Sequence, residues 1–269
     1  MQDKVDQAVR FVRARCPGYP SVGVVVGSGW GSLVETSGAA AVIPYAEIPG
    51  FPQCSVEGHP GSLVLSRAWG PLAAVLHGRA HRYEGLSLQE VVFPIRVLAA
   101  WGVKTLVATN ASGGLQGVEP GDLALITDHI NLMGDNPLIG TGSAGPRFVD
   151  MVETYDAGLI RLAETVAREE RIPLRRGTLA AVPGPSYETP AEAQMLRTLG
   201  AHMVCMSTVP EVIVARASGM RVLGLSLVTN MAGAPATGGL THEAVLAMGQ
   251  QKSAQAGRLL GRLLGRLDG

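Results

Sequence analysis

The side chains able to do chemistry are gathered in a few short segments. The densest is His77-Gly78-Arg79-Ala80-His81-Arg82-Tyr83-Glu84-Gly85. Arg79 offers a rigid fork that matches phosphate oxygens. His81 can add a hydrogen bond or a charge, and Tyr83 and Glu84 can contact hydroxyls. A solvated loop with a local Arg–Glu pair would contribute little. A bounded loop this polar, in a chain this poor in charge, favours function. Gly27-Ser28-Gly29-Trp30-Gly31 follows an apolar run. Its glycines let backbone N–H groups approach an anion, and Ser28 adds a hydroxyl. The same glycines equally suit an ordinary turn.

Further segments add to this set. Thr109-Asn110-Ala111-Ser112-Gly113-Gly114 has the small residues that allow close approach of backbone to a ligand, or else forms a turn with an Asn cap. Tyr187 and Glu188, inside Gly184-Pro185-Ser186-Tyr187-Glu188-Thr189-Pro190, pair an aromatic face with a carboxylate. Such a pair suits a flat ring with N–H donors, and also a proline-stiffened turn. Asn230 ends an apolar run and can donate and accept at a heterocycle edge. His59, in Glu57-Gly58-His59-Pro60-Gly61, and His242 sit at turns or helix starts and are open to either reading. The histidines lack the i, i+4 spacing of a helical metal site. There is no Gly-x-Ser-x-Gly elbow. A dinucleotide fingerprint would need Gly where Ser32 stands, and no Walker lysine is present.

The elements that must position these residues follow from the apolar pattern. Short runs at 21–26, 62–65, 72–76, 105–109, 123–126, 178–182 and 222–229 predict strands. Several are continuously apolar, as strands buried on both faces are. Helices are expected over about 3–15, 87–101, 155–171, 189–199, 208–218 and 241–267. The alternation predicts an α/β fold, a mixed central sheet flanked by helices in a single domain over 1–269. Ser87/Glu90, Thr189/Glu192 and Thr208/Glu211 each fit a capping box, a structural device. The functional segments fall between a strand's carboxyl end and the next helix, where α/β sheets place ligand chemistry.

Composition narrows the partners. The chain has 269 residues, 22 basic against 22 acidic, with 16% charged and 46% apolar residues. Zero net charge argues against a nucleic-acid or polybasic membrane binder, and the apolar content against disorder. Cys16, Cys54 and Cys205 form no CxxC pair and read as reduced thiols of a cytoplasmic protein. The first residues lack the apolar core of a signal peptide. The uncharged stretch 222–241 holds Asn230, Pro235 and several glycines and is no membrane span.

In this order the segments resemble the trimeric purine nucleoside phosphorylases and the related methylthioadenosine phosphorylases over nearly the whole chain. Asp128-His129-Ile130-Asn131 and Gly145-Pro146-Arg147-Phe148 also match, and Met206-Ser207-Thr208-Val209-Pro210-Glu211 with the apolar run after it is the most specific segment. The resemblance implies that phosphate attacks C1′ of a purine nucleoside and releases the base, with no cofactor beyond this co-substrate. It implies phosphate contacts at Ser28, His59, Arg79, His81, Ala111 and Ser207. It places ribose at Tyr83, Met206 and His242, with Phe148 supplied by the neighbour in a homotrimer. It places the base at Tyr187, Glu188, Val204 and Asn230.

Glu188 with Asn230 resembles the pattern that selects 6-oxopurines, and Asn230 and His242 disfavour methylthioadenosine as substrate. Asn230, Glu188 and His81 are the residues expected to carry catalysis, with Glu84 orienting Arg79 or His81. Met231 and Tyr187 depart from vertebrate relatives, which carry Lys and Phe there, and bear on the choice between inosine and guanosine. A nucleoside hydrolase would use paired carboxylates and leave Ser28, Arg79 and His81 without a purpose. A non-catalytic nucleotide binder would rest on the failed glycine fingerprint alone.

Overall fold

The computed structural model describes residues 1–141, 148–235 and 240–267. Gly145–Arg147 of the sequence motif lie outside the described residues. Helix α1 (Gln2–Arg15) buries Val5, Ala8, Val9 and Val12, one stripe at helical spacing. Then come β1 (Val22–Val26), β2 (Ala41–Pro44), β3 (Ser62–Ser66) and β4 (Ala73–His77). Helices α2 (Leu88–Val91) and α3 (Phe93–Trp101) precede β5 (Thr105–Gly114) and β6 (Leu123–Asn131). The rest runs α4 (Ala157–Glu169), β7 (Leu174–Ala181), α5 (Pro190–Thr198), β8 (Met203–Cys205), α6 (Val209–Ala217), β9 (Arg221–Met231) and α7 (His242–Leu264).

All strands share one mixed sheet. β1 pairs in parallel with β4 and β5, and β5 with β9. β9 pairs antiparallel with β6, β6 parallel with β7, β7 parallel with β8, and β8 antiparallel with the far end of β5. The strands from β5 to β9 therefore close on themselves as a small barrel, and β1 to β4 extend from its side. β1, β3 and β4 are buried at every residue, in keeping with their largely apolar sequences. Outside the sheet, α3 packs against α1 and α6, and α7 against α4.

Several expectations are corrected. The segment Thr109–Gly114 is not a turn after a strand but the second half of β5, with a bulge between Ser112 and Gly113. Its small residues are needed because β8 and β9 both press on it. The helix expected over 87–101 is two helices, broken at Val92 just before Pro94. Proline suits the first turn of a new helix, not the interior of a running one. Strands β2 and β8 carry no readable signal. The first is an edge strand with one buried residue, and the second has three residues. The capping boxes at Ser87/Glu90 and Thr189/Glu192 are formed, whereas Thr208 makes no capping bond and has φ +63°.

Candidate active site

The carboxyl ends of β1, β4, β5, β7, β8 and β9 converge on one cleft. Ser28, Arg79, His81, Tyr83, Ala111, Tyr187, Glu188, Val204, Met206, Ser207, Asn230 and His242 all line it. Two of the expected site residues do not. His59 lies behind Ser28 and is 6% exposed. Phe148 stands on a separate surface hollow with His129, Leu138 and Ile213, and is 88% exposed.

One end of the cleft is a cradle of donors. Gly27 follows β1 and brings the backbone against β5. A Cβ there would lie 2.6 Å from both Arg79 Nη1 and Thr109 O. Only glycine fits, and Thr109 completes the join by accepting the Gly27 N–H at Oγ1, 3.1 Å. His59 Nδ1 accepts the Arg79 backbone N–H at 2.8 Å, so the neutral ring carries its proton on Nε2. That Nε2–H donates to Ser28 Oγ at 2.8 Å and leaves the Ser28 hydroxyl proton free for a ligand. Burial, with His81 and Arg79 nearby, pulls the His59 pKa down to about 3, which keeps it neutral.

Arg79 is 5% exposed and fully engaged on one edge. Its Nε and Nη2 donate to the two carboxylate oxygens of Glu211, at 3.0 and 2.9 Å. Its Nη1 donates to Thr109 O at 2.7 Å, with Ser207 Oγ at 3.4 Å. Glu84 serves His81 instead: its Oε1 accepts from the His81 backbone N–H at 2.6 Å and pairs with Nδ1 at 3.0 Å. Ser55 donates to the other oxygen through N–H and O–H. Burial opposes the Glu84 charge, but these bonds outweigh it and hold the carboxyl at about 2. A carboxylate only accepts, so His81 carries a proton on Nδ1 and turns Nε2 toward the cleft. Burial lowers the His81 pKa against the pull of Glu84. Tyr83 stacks on His81, ring centroids 4.7 Å apart.

The other end is looser. Tyr187, 39% exposed, stands beside half-buried Glu188 on the loop after β7. Burial raises the Glu188 carboxyl. Thr229 Oγ1 donates to Asn230 Oδ1 at 2.9 Å, which leaves the amide Nδ2 as a donor. His242 Nε2 donates to Glu57 O at 2.9 Å and ties the start of α7 to the segment before His59. The arrangement can hold an oxyanion at one end and the hydrogen-bonding edge of a flat ring at the other. Among the described residues no group of three or more His, Cys, Asp or Glu is placed to hold a metal ion.

Sequence reasoning missed the residues that hold the cradle. Thr208 and Glu211 read as a capping pair, Thr109 and Asn110 as part of a close-approach segment or turn, and Ser55 and Ser226 as nothing in particular. One signal was available. Glu211 is the sole charge in Val209-Pro210-Glu211-Val212-Ile213-Val214, an apolar run that must be buried, and buried carboxylates are paired.

A family profile described as the phosphorylase superfamily matches residues 21–265. Purine nucleoside phosphorylase 1 of Bacillus subtilis is 46% identical over 257 residues, 94% of this chain and 95% of that protein. Purine nucleoside phosphorylase 1 of Geobacillus stearothermophilus is 48% identical over 245 residues, 90% of this chain and 89% of that protein. The Schistosoma mansoni purine nucleoside phosphorylase, solved in complex with inosine, superposes with a TM-score of 0.91 at 36% identity, covering 99% of this chain and 97% of that one. The chain belongs to the phosphorylase superfamily and, within it, to the purine nucleoside phosphorylases.

Proposed function

We propose that this enzyme catalyses reversible phosphorolysis of 6-oxopurine nucleosides, inosine and guanosine and their 2′-deoxy forms, in purine salvage. The observation that carries the reading is one cleft with a donor cradle at one end and Glu188 with Asn230 at the other. Inorganic phosphate is the co-substrate. It is held by the Ser28 hydroxyl, Arg79, Ser207, the backbone at Ala111 and His81, with His59 acting through Ser28. Tyr83, Met206 and His242 hold the ribose.

A phosphate oxygen bonds to C1′ as the bond from C1′ to the base nitrogen breaks. The bond's electron pair leaves with the purine, which takes up the proton that hydrogen phosphate gives up, and the products are the free base and ribose 1-phosphate. The sugar passes through an oxocarbenium-like state, which the phosphate charge beneath it stabilises. Asn230 Nδ2 donates to N7 as negative charge grows on the purine. Glu188 accepts the N1–H, an edge that 6-oxopurines have and adenine lacks. Tyr187 and Val204 flank the ring.

A homotrimer with Phe148 completing a neighbour's site is part of this proposal. Its support is an exposed apolar pair on one surface hollow, Phe148 at 88% and Ile139 at 67%, which a partner would cover. Light scattering on wild type and Phe148→Ala tests it. Cytoplasmic residence is proposed from three cysteines that are all free.

The deciding assay is hypoxanthine release from inosine with and without phosphate, with adenosine and methylthioadenosine alongside. Phosphate-dependent release with inosine preferred is the expected result. Release from methylthioadenosine alone would overturn the assignment of Glu188 and Asn230. Release without phosphate would overturn the roles of Ser28, Arg79, His81 and Ser207.

A further inference from the structure

The start of α6 spells a capping box, yet neither member caps. Thr208 takes a positive φ of +63°, which a β-branched residue adopts only when its surroundings force it. Its hydroxyl oxygen accepts from Asn110 Nδ2 at 2.9 Å, and Asn110 Oδ1 in turn accepts from Ser226 Oγ at 2.6 Å. Thr208 is thereby turned inward, away from the helix end. Glu211 is released from the capping position and reaches Arg79, across 132 residues of sequence. Both side chains are 4% exposed.

The donors on Arg79 can be counted. A guanidinium has five N–H groups in fixed directions. Two go to Glu211 and one to Thr109 O. The second N–H of Nη1 makes a long contact to Ser207 Oγ, 3.4 Å, at the cleft, and one N–H of Nη2 is left over; Arg79 and Ser207 both line the cleft. Glu211 grips the edge formed by Nε and Nη2, so the ring of constraints is complete: Gly27 against Nη1, Thr109 beside it, Glu211 on the flank.

Resting on the phosphorolysis reading, we propose that Glu211 is a positioning residue for phosphate: it fixes the Arg79 guanidinium so that the leftover N–H of Nη2, and the Nη1 N–H beside Ser207, meet the anion without rearrangement. Its negative charge also repels the anion. Two features make positioning the larger effect. Arg79 lies between Glu211 and the ligand, and a buried guanidinium held by Thr109 O on Nη1 alone would not hold one orientation. A group held ready in its binding geometry binds without the ordering cost.

The test is steady-state kinetics with inosine and phosphate varied in turn, for Glu211→Gln and Glu211→Asp, with Arg79→Lys alongside. Gln keeps the shape but replaces one acceptor by a donor. Asp keeps the charge but withdraws it by one methylene. Glu211→Gln is expected to raise the phosphate KM about tenfold or more, the effect of losing a charge-assisted bond. The inosine KM should stay within about twofold, because Glu211 touches no residue of the base end. Glu211→Asp should fall between wild type and Gln, and decides the matter if the Gln variant does not fold. An unchanged or lowered phosphate KM, or a parallel rise in both KM values, overturns the proposal. If Arg79→Lys also leaves the phosphate KM unchanged, the phosphate site itself is misassigned. If Arg79→Lys raises it while the Glu211 variants do not, only the positioning role falls.

Discussion

The two ends of the cleft are built in opposite ways. At the anion end, Arg79, His59 and His81 are each 5–6% exposed, and each is held by another side chain or a carbonyl. At the base end, Tyr187 is 39% exposed, and Glu188 and Asn230 are only half-buried. Burial, with the Glu192 carboxylate nearby, pushes the Glu188 carboxyl up. The difference matches what each end must do. Phosphate is the same in every turnover, so a rigid cradle loses nothing. Purines differ in their substituents, and an end built on loops can accommodate more than one. Binding chemistry and folding energy are therefore fused at the first end and separable at the second.

The sharpest way to break this comparison is Arg79→Ala. It removes the anion's cation and leaves Glu211 buried without a partner, which destabilises by about 3–5 kcal/mol. Turnover with inosine at a fixed phosphate concentration is expected to fall by about 10³, the scale of a lost transition-state contact. Thermal unfolding should show the loss of stability in the same protein. A stable but inactive Arg79→Ala would mean that the ends are not built differently. At the base end, Glu188→Ala and Asn230→Ala should each lose about 10²–10³ in kcat/KM for inosine. Their unfolding free energy should stay within about 0.5–1 kcal/mol of wild type, because neither removal strands a buried charge. Near-wild-type turnover in both would remove base recognition from these residues.

This contrast also explains what the sequence made legible. Strands such as Val22–Val26 and Arg221–Met231 announce themselves by apolar continuity, which is local. The residues that line the cleft were legible too, because Arg79, His81, Tyr187, Glu188 and Asn230 stand out as polar groups beside apolar runs. Their supports were not. Glu211 and Arg79 are 132 positions apart, and Ser55 and Glu84 are 29 apart. No local rule couples such pairs. Glu211 was actively misread, because a Thr and a Glu three apart satisfy a local rule that the fold overrides. The base end, which has few supports, was accordingly read more completely than the anion end. His59 shows the same limit: its type was noticed, but its place behind Ser28 depends on the turn at Gly78 packing against it.

Acid should separate the ends by sign. His59 is held neutral, its pKa drawn down to about 3 by burial, whereas unfolded His titrates near 6.5. The unfolded chain thus binds a proton that the folded one refuses. Stability present above pH 6.5 is lost as the pH falls from there toward 3. Glu188 behaves oppositely. Its raised carboxyl takes a proton more readily in the folded chain, so acid relieves its burial rather than opposing folding. The same protonation removes the acceptor for the purine N1–H. Between pH 6.5 and 5, the melting temperature should fall with a slope that lessens in His59→Gln. The acid limb of kcat/KM for inosine should vanish in Glu188→Gln, while its melting temperature should fall with acid at least as steeply as that of the wild type, because the group that acid relieves is gone. An unchanged slope in His59→Gln would break the assignment of the first effect.

Tyr187→Phe should be the mildest change and sharpens the comparison most finely. The hydroxyl belongs to a side chain 39% exposed, and burial, with Glu188 and Glu243 nearby, raises its pKa. Removing it keeps the aromatic face that a purine stacks on. The inosine KM should move by no more than about threefold, and stability by less than about 0.5 kcal/mol, as for surface substitutions. Tyr187→Ala removes the face as well and should cost about 10–100-fold in the inosine KM, the worth of one stacked base. The phosphate KM is the discriminating readout for both. Tyr187 has no bond to the cradle, so a rigid anion end should not register its loss. A shift in phosphate KM equal to that for inosine would show the two ends moving as one body, and the contrast between a fixed end and a yielding end would have to be given up.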